Sequence, residues 1–147
     1  MNKLKFLTIF IVLLIGVFKV NAQTSQAFKD AAFAATSAYN NQNLKCVEYA
    51  QKLKSFLSAN SAKYSITSYK FYEIKTKDGK PFITHDDYST TTAISQNGRH
   101  IIAVINGEVF DNLHPKGSAK TSWESKLHCV AGGYPTGFTT TEITTIK

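Results

Sequence analysis

Arg99-His100-Ile101-Ile102-Ala103-Val104-Ile105-Asn106-Gly107-Glu108-Val109-Phe110-Asp111-Asn112-Leu113-His114-Pro115 is the stretch whose reading decides the fold. Two apolar runs flank Asn106-Gly107, a pair favoured between strands because both residues of the tight turn need positive φ. The spacing predicts an antiparallel hairpin in which Ile105 faces Glu108, Asp111 lies opposite Ile102 and His100 lies opposite Leu113. Side chains alternate across a strand, so His100, Ile102 and Asp111 share one face and Asn112 takes the other. Diagonal neighbours in such a pair sit about 7–8 Å apart at Cα, within reach of a carboxylate and an imidazole.

Upstream, Asn97-Gly98 and the threonine-rich Tyr88 to Ser95 predict one more strand, so the hairpin extends to a three-stranded meander. Tyr64 to Lys75 is rich in aromatic and branched residues and reads as a strand, followed by a turn at Lys77-Asp78-Gly79-Lys80-Pro81 and a short strand at Phe82 to Thr84. Two helices precede the strands. Ser25 to Tyr39 carries Phe28, Ala31, Ala32, Ala35 and Tyr39 at helical spacing, and Leu44 to Ala59 carries Cys46, Ala50, Leu53 and Leu57 on one stripe. Between them, Asn40-Asn41-Gln42-Asn43 favours a turn, with Asn43 as N-cap of the second helix. Downstream come a loop at His114 to Gly117, a short helix around Thr121 to His128 with Trp123 as a lid on the core, a turn at Gly132 to Pro135, and an edge strand within Phe138 to Ile146. The fold class is α+β, with N-terminal helices packed on an antiparallel β-sheet.

Lys3 and Lys5 precede the apolar run Phe6 to Phe18, and Val20-Asn21-Ala22 has the small-residue form of a cleavage site, so residues 1–22 read as a secretory signal peptide. The run is shorter than the roughly 20 residues a spanning helix needs, which disfavours a retained anchor. The expected product is one secreted or periplasmic domain, residues 23–147, without stable membrane association. Setting aside Lys3, Lys5 and Lys19 leaves all ten acidic residues and lowers the formal charge from +7 to +4. Arg99 is the only arginine and the lysines are scattered, a pattern that does not support nucleic-acid binding.

The chemistry rests on Cys46, His100 and Asp111. Cys46 opens the second helix, where unpaired amides and the helix dipole favour thiolate over thiol. A thiol, an imidazole and a carboxylate are the parts of a nucleophilic triad: Asp111 holds the Nδ1 proton of His100, and Nε2 takes the proton of Cys46. The Cys46 amide is one oxyanion donor, and Asn40, Gln42 and Asn41, in that order, are side-chain candidates for a second. Asn112 and His114 are candidate substrate contacts, although His114 also suits the turn before Pro115. His85-Asp86-Asp87 has ligand-type residues but no enclosing spacing, so it reads as a solvated turn, and neither a metal nor a cofactor is expected.

The segments Asn43-Leu44-Lys45-Cys46-Val47-Glu48-Tyr49-Ala50 and Arg99 to Pro115 resemble the papain-fold toxin domains of bacterial polymorphic toxin systems. In that family a cysteine begins a helix, a histidine begins a strand, and a Gly-x-x-x-Asp-Asn-x-His-Pro segment follows; here the last is Gly107 to Pro115. The resemblance implies a papain-like fold, with Cys46 as nucleophile, His100 as general base and acid, and Asp111 as orienting residue. It also implies peptide or isopeptide cleavage or glutamine deamidation of a protein substrate, and a cognate inhibitor (immunity) protein as partner.

Cys46 and Cys129 are the only cysteines, and in an exported protein they can equally form one disulfide stapling a non-enzymatic binding module. A thiol count separates the two readings. The hydrolase reading expects mass spectrometry of the native secreted protein to find both thiols free, whereas a quantitative Cys46–Cys129 bond without activity on reduction sinks it.

Overall fold

The computed structural model describes residues 23–147; the expected leader, 1–22, lies outside the described residues. Two helices come first, α1 (Gln26–Ala35) and α2 (Cys46–Asn60). Ser25 caps α1, its hydroxyl accepting from the Phe28 amide, which satisfies one of the donors that a helix start leaves over. The strands are β1 (Tyr69–Thr76), β2 (Ile83–His85), β3 (Arg99–Ile105), β4 (Glu108–Phe110), β5 (Ser118–Ala119), β6 (Leu127–Cys129), β7 (Gly132–Gly133) and β8 (Phe138–Ile143), with a short helix α3 (Lys120–Ser125) between β5 and β6. A five-stranded sheet runs β5-β4-β3-β1-β8 and a three-stranded sheet β2-β6-β7, and every pairing is antiparallel. The fold is α+β, as expected, with the N-terminal helices packed on an antiparallel sheet.

The hairpin has the expected register: Ala103 pairs with Phe110, Val104 with Val109 and Ile105 with Glu108. Asn106 and Gly107 both have positive φ, 47° and 84°, which is the twist that a two-residue turn needs to match its strands. The other neighbour of β3 differs from expectation. Tyr88 to Ser95 does not form the first strand of a meander; it contributes only two isolated bridges, Ile83 with Ser95 and His85 with Ser89. β3 pairs instead with β1, over Tyr69–Ile105 to Lys75–Arg99. The long apolar β1 offers a full ladder and buries Phe71 and Ile74, whereas the threonine-rich segment has only Ile94 to bury. Asn97-Gly98 therefore closes a long loop, with the Gly98 amide on Pro81 O and the Thr76 amide on Gly98 O.

Alternation on β1 and β3 supplies two cores. Phe71, Ile101, Ala103 and Ile105 face α1 and α2, meeting Phe28, Ala32, Tyr49, Ala50, Leu53 and Leu57. Ile74, Ile102 and Val109 face the other way, against Ile83, Ile94, Trp123, Leu127 and Phe138. The cysteines belong to different cores: Cys46 is part of the helix side, and Cys129 packs on the side of Trp123. Both thiols are free, so the alternative of a Cys46–Cys129 staple is not realised in this fold.

One ion pair joins the N-terminal segment to the hairpin. The Glu108 carboxylate, side chain 9 % exposed, accepts from Lys29 Nζ and from the Thr24 amide and hydroxyl. Burial raises its pKa, but these donors outweigh burial and hold it below the ordinary glutamate value, so its contribution is present above that value and fades as pH falls. Glu108→Ala strands the Lys29 ammonium in a largely dry site and is expected to lower stability by about 3 kcal/mol, read as a lower urea midpoint. The double change Lys29→Met with Glu108→Leu should recover most of that loss.

Candidate active site

Cys46 is the first residue of α2, His100 the second of β3, and Asp111 follows β4 directly. Three elements thus deliver the three groups to one end of the sheet. Asp111 is fully buried and accepts five hydrogen bonds. Oδ2 takes His100 Nε2–H at 3.0 Å and Trp123 Nε1–H at 3.1 Å, while Oδ1 takes the amides of Leu113 (3.0 Å) and His114 (2.6 Å) and His114 Nδ1–H at 2.9 Å. Trp123 also lies nearly parallel to the His100 ring, 6.1 Å between centroids and 16° apart, so the imidazole is oriented by one bond and one face.

The ring is turned opposite to the sequence expectation. Nε2, not Nδ1, meets Asp111, because the carboxylate lies beyond the end of β4 and is reached by the outer nitrogen. Nδ1 is buried and has no hydrogen-bond partner, which leaves it for Cys46. No hydrogen bond of normal geometry joins thiol to ring here, an arrangement common in ligand-free sites that tighten on substrate. The two groups nevertheless reset one another's protonation. Burial raises the Cys46 pKa, but His100, the Ile101 backbone N–H and Arg99 outweigh it and hold the thiol below its ordinary value. Burial lowers the His100 pKa, and Asp111 and Cys46 outweigh that, raising it from 6.5 to about 10. Asp111 is held far below the ordinary aspartate value; burial opposes the shift, and the bonds from His100 and His114 overcome it.

The loop before Cys46 is what presents it. Leu44 has φ 62°, a left-handed conformation that costs a residue with a side chain of order 1–2 kcal/mol, and it is half-exposed. Lys45 occupies the N-cap position with no side-chain capping bond, so Asn43 is not the cap that the sequence suggested: its carboxamide accepts from the Leu44 amide and donates to Ala93 O. The N-cap residue therefore places no side chain on the first amides of α2. Asn40 and Gln42, the candidate oxyanion donors, spend their carboxamide N–H groups within the chain. Asn40 Nδ2 donates to Phe33 O and Gln42 Nε2 to Ala38 O, because the last carbonyls of α1 and its trailing turn need donors and these amides are the nearest. The Asn41 amide donates to Asn112 O.

Asn112, a candidate substrate contact, is fully buried, with Nδ2 on Gln42 O at 2.6 Å, so it stitches the Cys46 loop to the end of β4. His114 bridges Asp111 and Asp87, with Nε2 3.3 Å from Asp87 Oδ2. Asp86 and Asp87 form the exposed turn expected, but His85 does not belong to it: it ends β2. His85 is fully buried against Trp123 and His114, because its Nε2–H finds Trp123 O at 3.1 Å and its Nδ1 accepts from the Asp87 amide. Sequence reasoning missed Trp123 and His85 as parts of the site. The signal available was the count of polar-tipped aromatics near the hairpin, each of which needs a partner when buried.

Beside Cys46 opens a cleft of about 230 Å³, lined by Leu44, Cys46, Val47, Ile94, Ser95, Gln96, Asn97 and Arg99. Arg99 is held there by Glu73.

A helix opening with cysteine, packed on an antiparallel sheet whose central strand places a histidine beside it, defines the papain-like class. The model of the papain fold toxin 2 family matches residues 32–128, well over half of the chain, and this protein belongs to that family. No curated protein and no solved structure matches it. The matched span includes every residue of the site and stops just short of Cys129.

A lowered thiol pKa means that the nucleophilic form persists to lower pH than in an ordinary thiol and disappears as pH falls through the shifted value. Cys46 should therefore react with iodoacetamide at neutral pH faster than Cys129. In His100→Ala the Cys46 profile should move to higher pH. Identical profiles in parent and variant contradict the coupling described here.

Proposed function

We propose that this domain is a cysteine hydrolase acting on amide bonds of protein substrates, with Cys46 as nucleophile, His100 as proton carrier and Asp111 as orienting residue. The observation that carries this reading is the unpartnered Nδ1 of a fully buried His100, locked through Nε2 to Asp111 and coupled to Cys46. An imidazole fixed on one side and free on the other is what a shuttle for a thiol proton requires.

The thiolate attacks the substrate carbonyl, and the oxyanion forms at the start of α2, near the Cys46 amide and the positive end of the dipole. Nδ1–H of the His100 imidazolium gives its proton to the leaving nitrogen, and the C–N bond breaks to leave a thioester on Cys46. Neutral His100 then takes a proton from water through Nδ1, the hydroxide adds to the thioester, and the thiolate departs with the acyl group released as acid. Asp111 stays ionised throughout, stabilising the imidazolium and holding the ring.

The cleft favours a single residue over a large ligand. Its roughly 230 Å³ is below the ~300–1,000 Å³ of pockets that enclose drug-sized molecules. A peptide bond in an extended segment or a glutamine side chain, offered by a folded or extended protein, fits that space. Export through the expected leader would make such a protein substrate extracytoplasmic, and a toxin of this kind calls for an inhibitor protein in the producing cell.

The test is ammonia release and peptide cleavage from glutamine-containing protein and peptide libraries. Cys46→Ala should abolish both, and His100→Ala should lower turnover about a thousandfold with substrate binding retained. Activity that survives Cys46→Ala overturns the reading.

A further inference from the structure

We propose that His85, Asp87 and His114 form a binding site for a divalent transition-metal ion of the zinc class. One ligand atom from each of the three lies within 4.8 Å of the others. Proximity alone is common; the second observation is how the two rings are held. In histidine metal sites the ring nitrogen away from the ion donates to a carboxylate or a backbone carbonyl, which fixes the tautomer and aims the lone pair. Both histidines here have that arrangement. His114 Nδ1–H donates to Asp111 Oδ1 at 2.9 Å, leaving Nε2 towards Asp87. His85 Nε2–H donates to Trp123 O at 3.1 Å, leaving Nδ1 on the Asp87 side.

The spacing is close to what an ion needs. Tetrahedral zinc with bonds of about 2.0–2.1 Å sets ligand atoms roughly 3.4 Å apart. His114 Nε2 and Asp87 Oδ2 are 3.3 Å apart already, no spacing among the three ligand atoms exceeds 4.8 Å, so the widest has to close by at most about 1.4 Å, and the Asp87 side chain, 37 % exposed, has room to turn. His85 cannot move much, because it is packed between Trp123 and His114 at 5.2 and 4.7 Å. Asp87 Oδ1 is bonded to Lys126 Nζ at 2.6 Å, an outer partner that orients the carboxylate while leaving Oδ2 free to bind. Asn41, Asp87, Tyr88, Leu113 and His114 line a cleft of about 260 Å³, so a water or a ligand can complete the coordination.

Binding breaks two contacts, His114 Nε2 to Asp87 and the Asp87 amide to His85 Nδ1, and replaces them with bonds to the ion. Any proton on His114 Nε2 leaves for solvent. The bond from His114 to Asp111 survives, so the loaded site clamps the loop at Asp87 to the end of β4 without disturbing Asp111. Two imidazole ligands select zinc-class ions against magnesium and calcium, which take oxygen.

The experiment uses the full secreted chain carrying Cys46→Ser and Cys129→Ser, so that no thiol supplies a ligand and the result is independent of the hydrolase reading. Zinc is titrated against a chromophoric chelator, with Tm followed in parallel. One equivalent should bind and raise Tm, magnesium should not compete, and Asp87→Asn should weaken binding at least tenfold. His114→Gln should do the same, and Asp87→Asn keeps the test open if His114→Gln does not fold, since Asp87 is at the surface. Absence of zinc binding in the double-serine protein overturns the proposal, as does equal affinity in Asp87→Asn.

Discussion

The Asp111 carboxylate is the group on which the rest of this structure depends. It is wholly buried, and an ionised carboxylate in that position is tolerated only when its lone pairs are filled. Five N–H donors fill them, and they come from three parts of the chain: β3 through His100, the turn after β4 through Leu113 and His114, and α3 through Trp123. Each donor is placed by Asp111 as much as it satisfies it. The backbone donors fold the chain back after β4, the indole brings α3 under the sheet, and the imidazole acquires its tautomer. Orienting a histidine for chemistry and closing the core are therefore one act in this molecule.

Charges alternate outward from that group. Cys46, His100, Asp111, His114 and Asp87 succeed one another from the buried helix start to the surface, and Lys126 follows Asp87. The first five shift in alternating directions, each towards its charged form: the thiol down, the imidazole up, the carboxylate down, the second imidazole up, the second carboxylate down. A row of this kind adds little net stability over apolar packing, since each buried charge carries a desolvation cost, but removal of any inner member leaves a neighbour uncompensated. For His100 the sign is definite. Its folded pKa of about 10 exceeds 6.5, so its contribution is complete below 6.5 and is lost as pH rises through about 10.

Local rules carried the sequence reading as far as local geometry reaches. Asn106-Gly107 dictates a two-residue turn, the turn dictates register, and register alone puts Asp111 on the face of His100. The helix bearing Cys46 follows from its apolar stripe. What failed was non-local. The partner of β3 is separated from it by the whole segment from Lys77 to Gly98, and nothing in Asn97-Gly98 says whether it turns a hairpin or closes a loop; the apolar content of β1 against the threonines of Tyr88 to Ser95 decided it. The amides of Asn40, Gln42 and Asn43 failed for a related reason. A carboxamide can accept or donate at any backbone group within reach, and its choice depends on which carbonyls a neighbouring element leaves over.

The ring orientation of His100 shows how fold and chemistry constrain one another. Asp111 lies just past the end of β4 and meets Nε2 of the ring, which leaves the buried Nδ1 without a partner and His100 still coupled to Cys46. A helix start with a conventional cap would then place a side chain over the first amides of α2, beside Cys46. Lys45 supplies no such cap, and Leu44 takes a left-handed conformation immediately before it. Asn112 holds this strained loop in place from the far side, through Gln42 O and the Asn41 amide. The Asp111-Asn112 pair thus serves both ends of the site, the first residue fixing the imidazole and the second fixing the approach to the thiol.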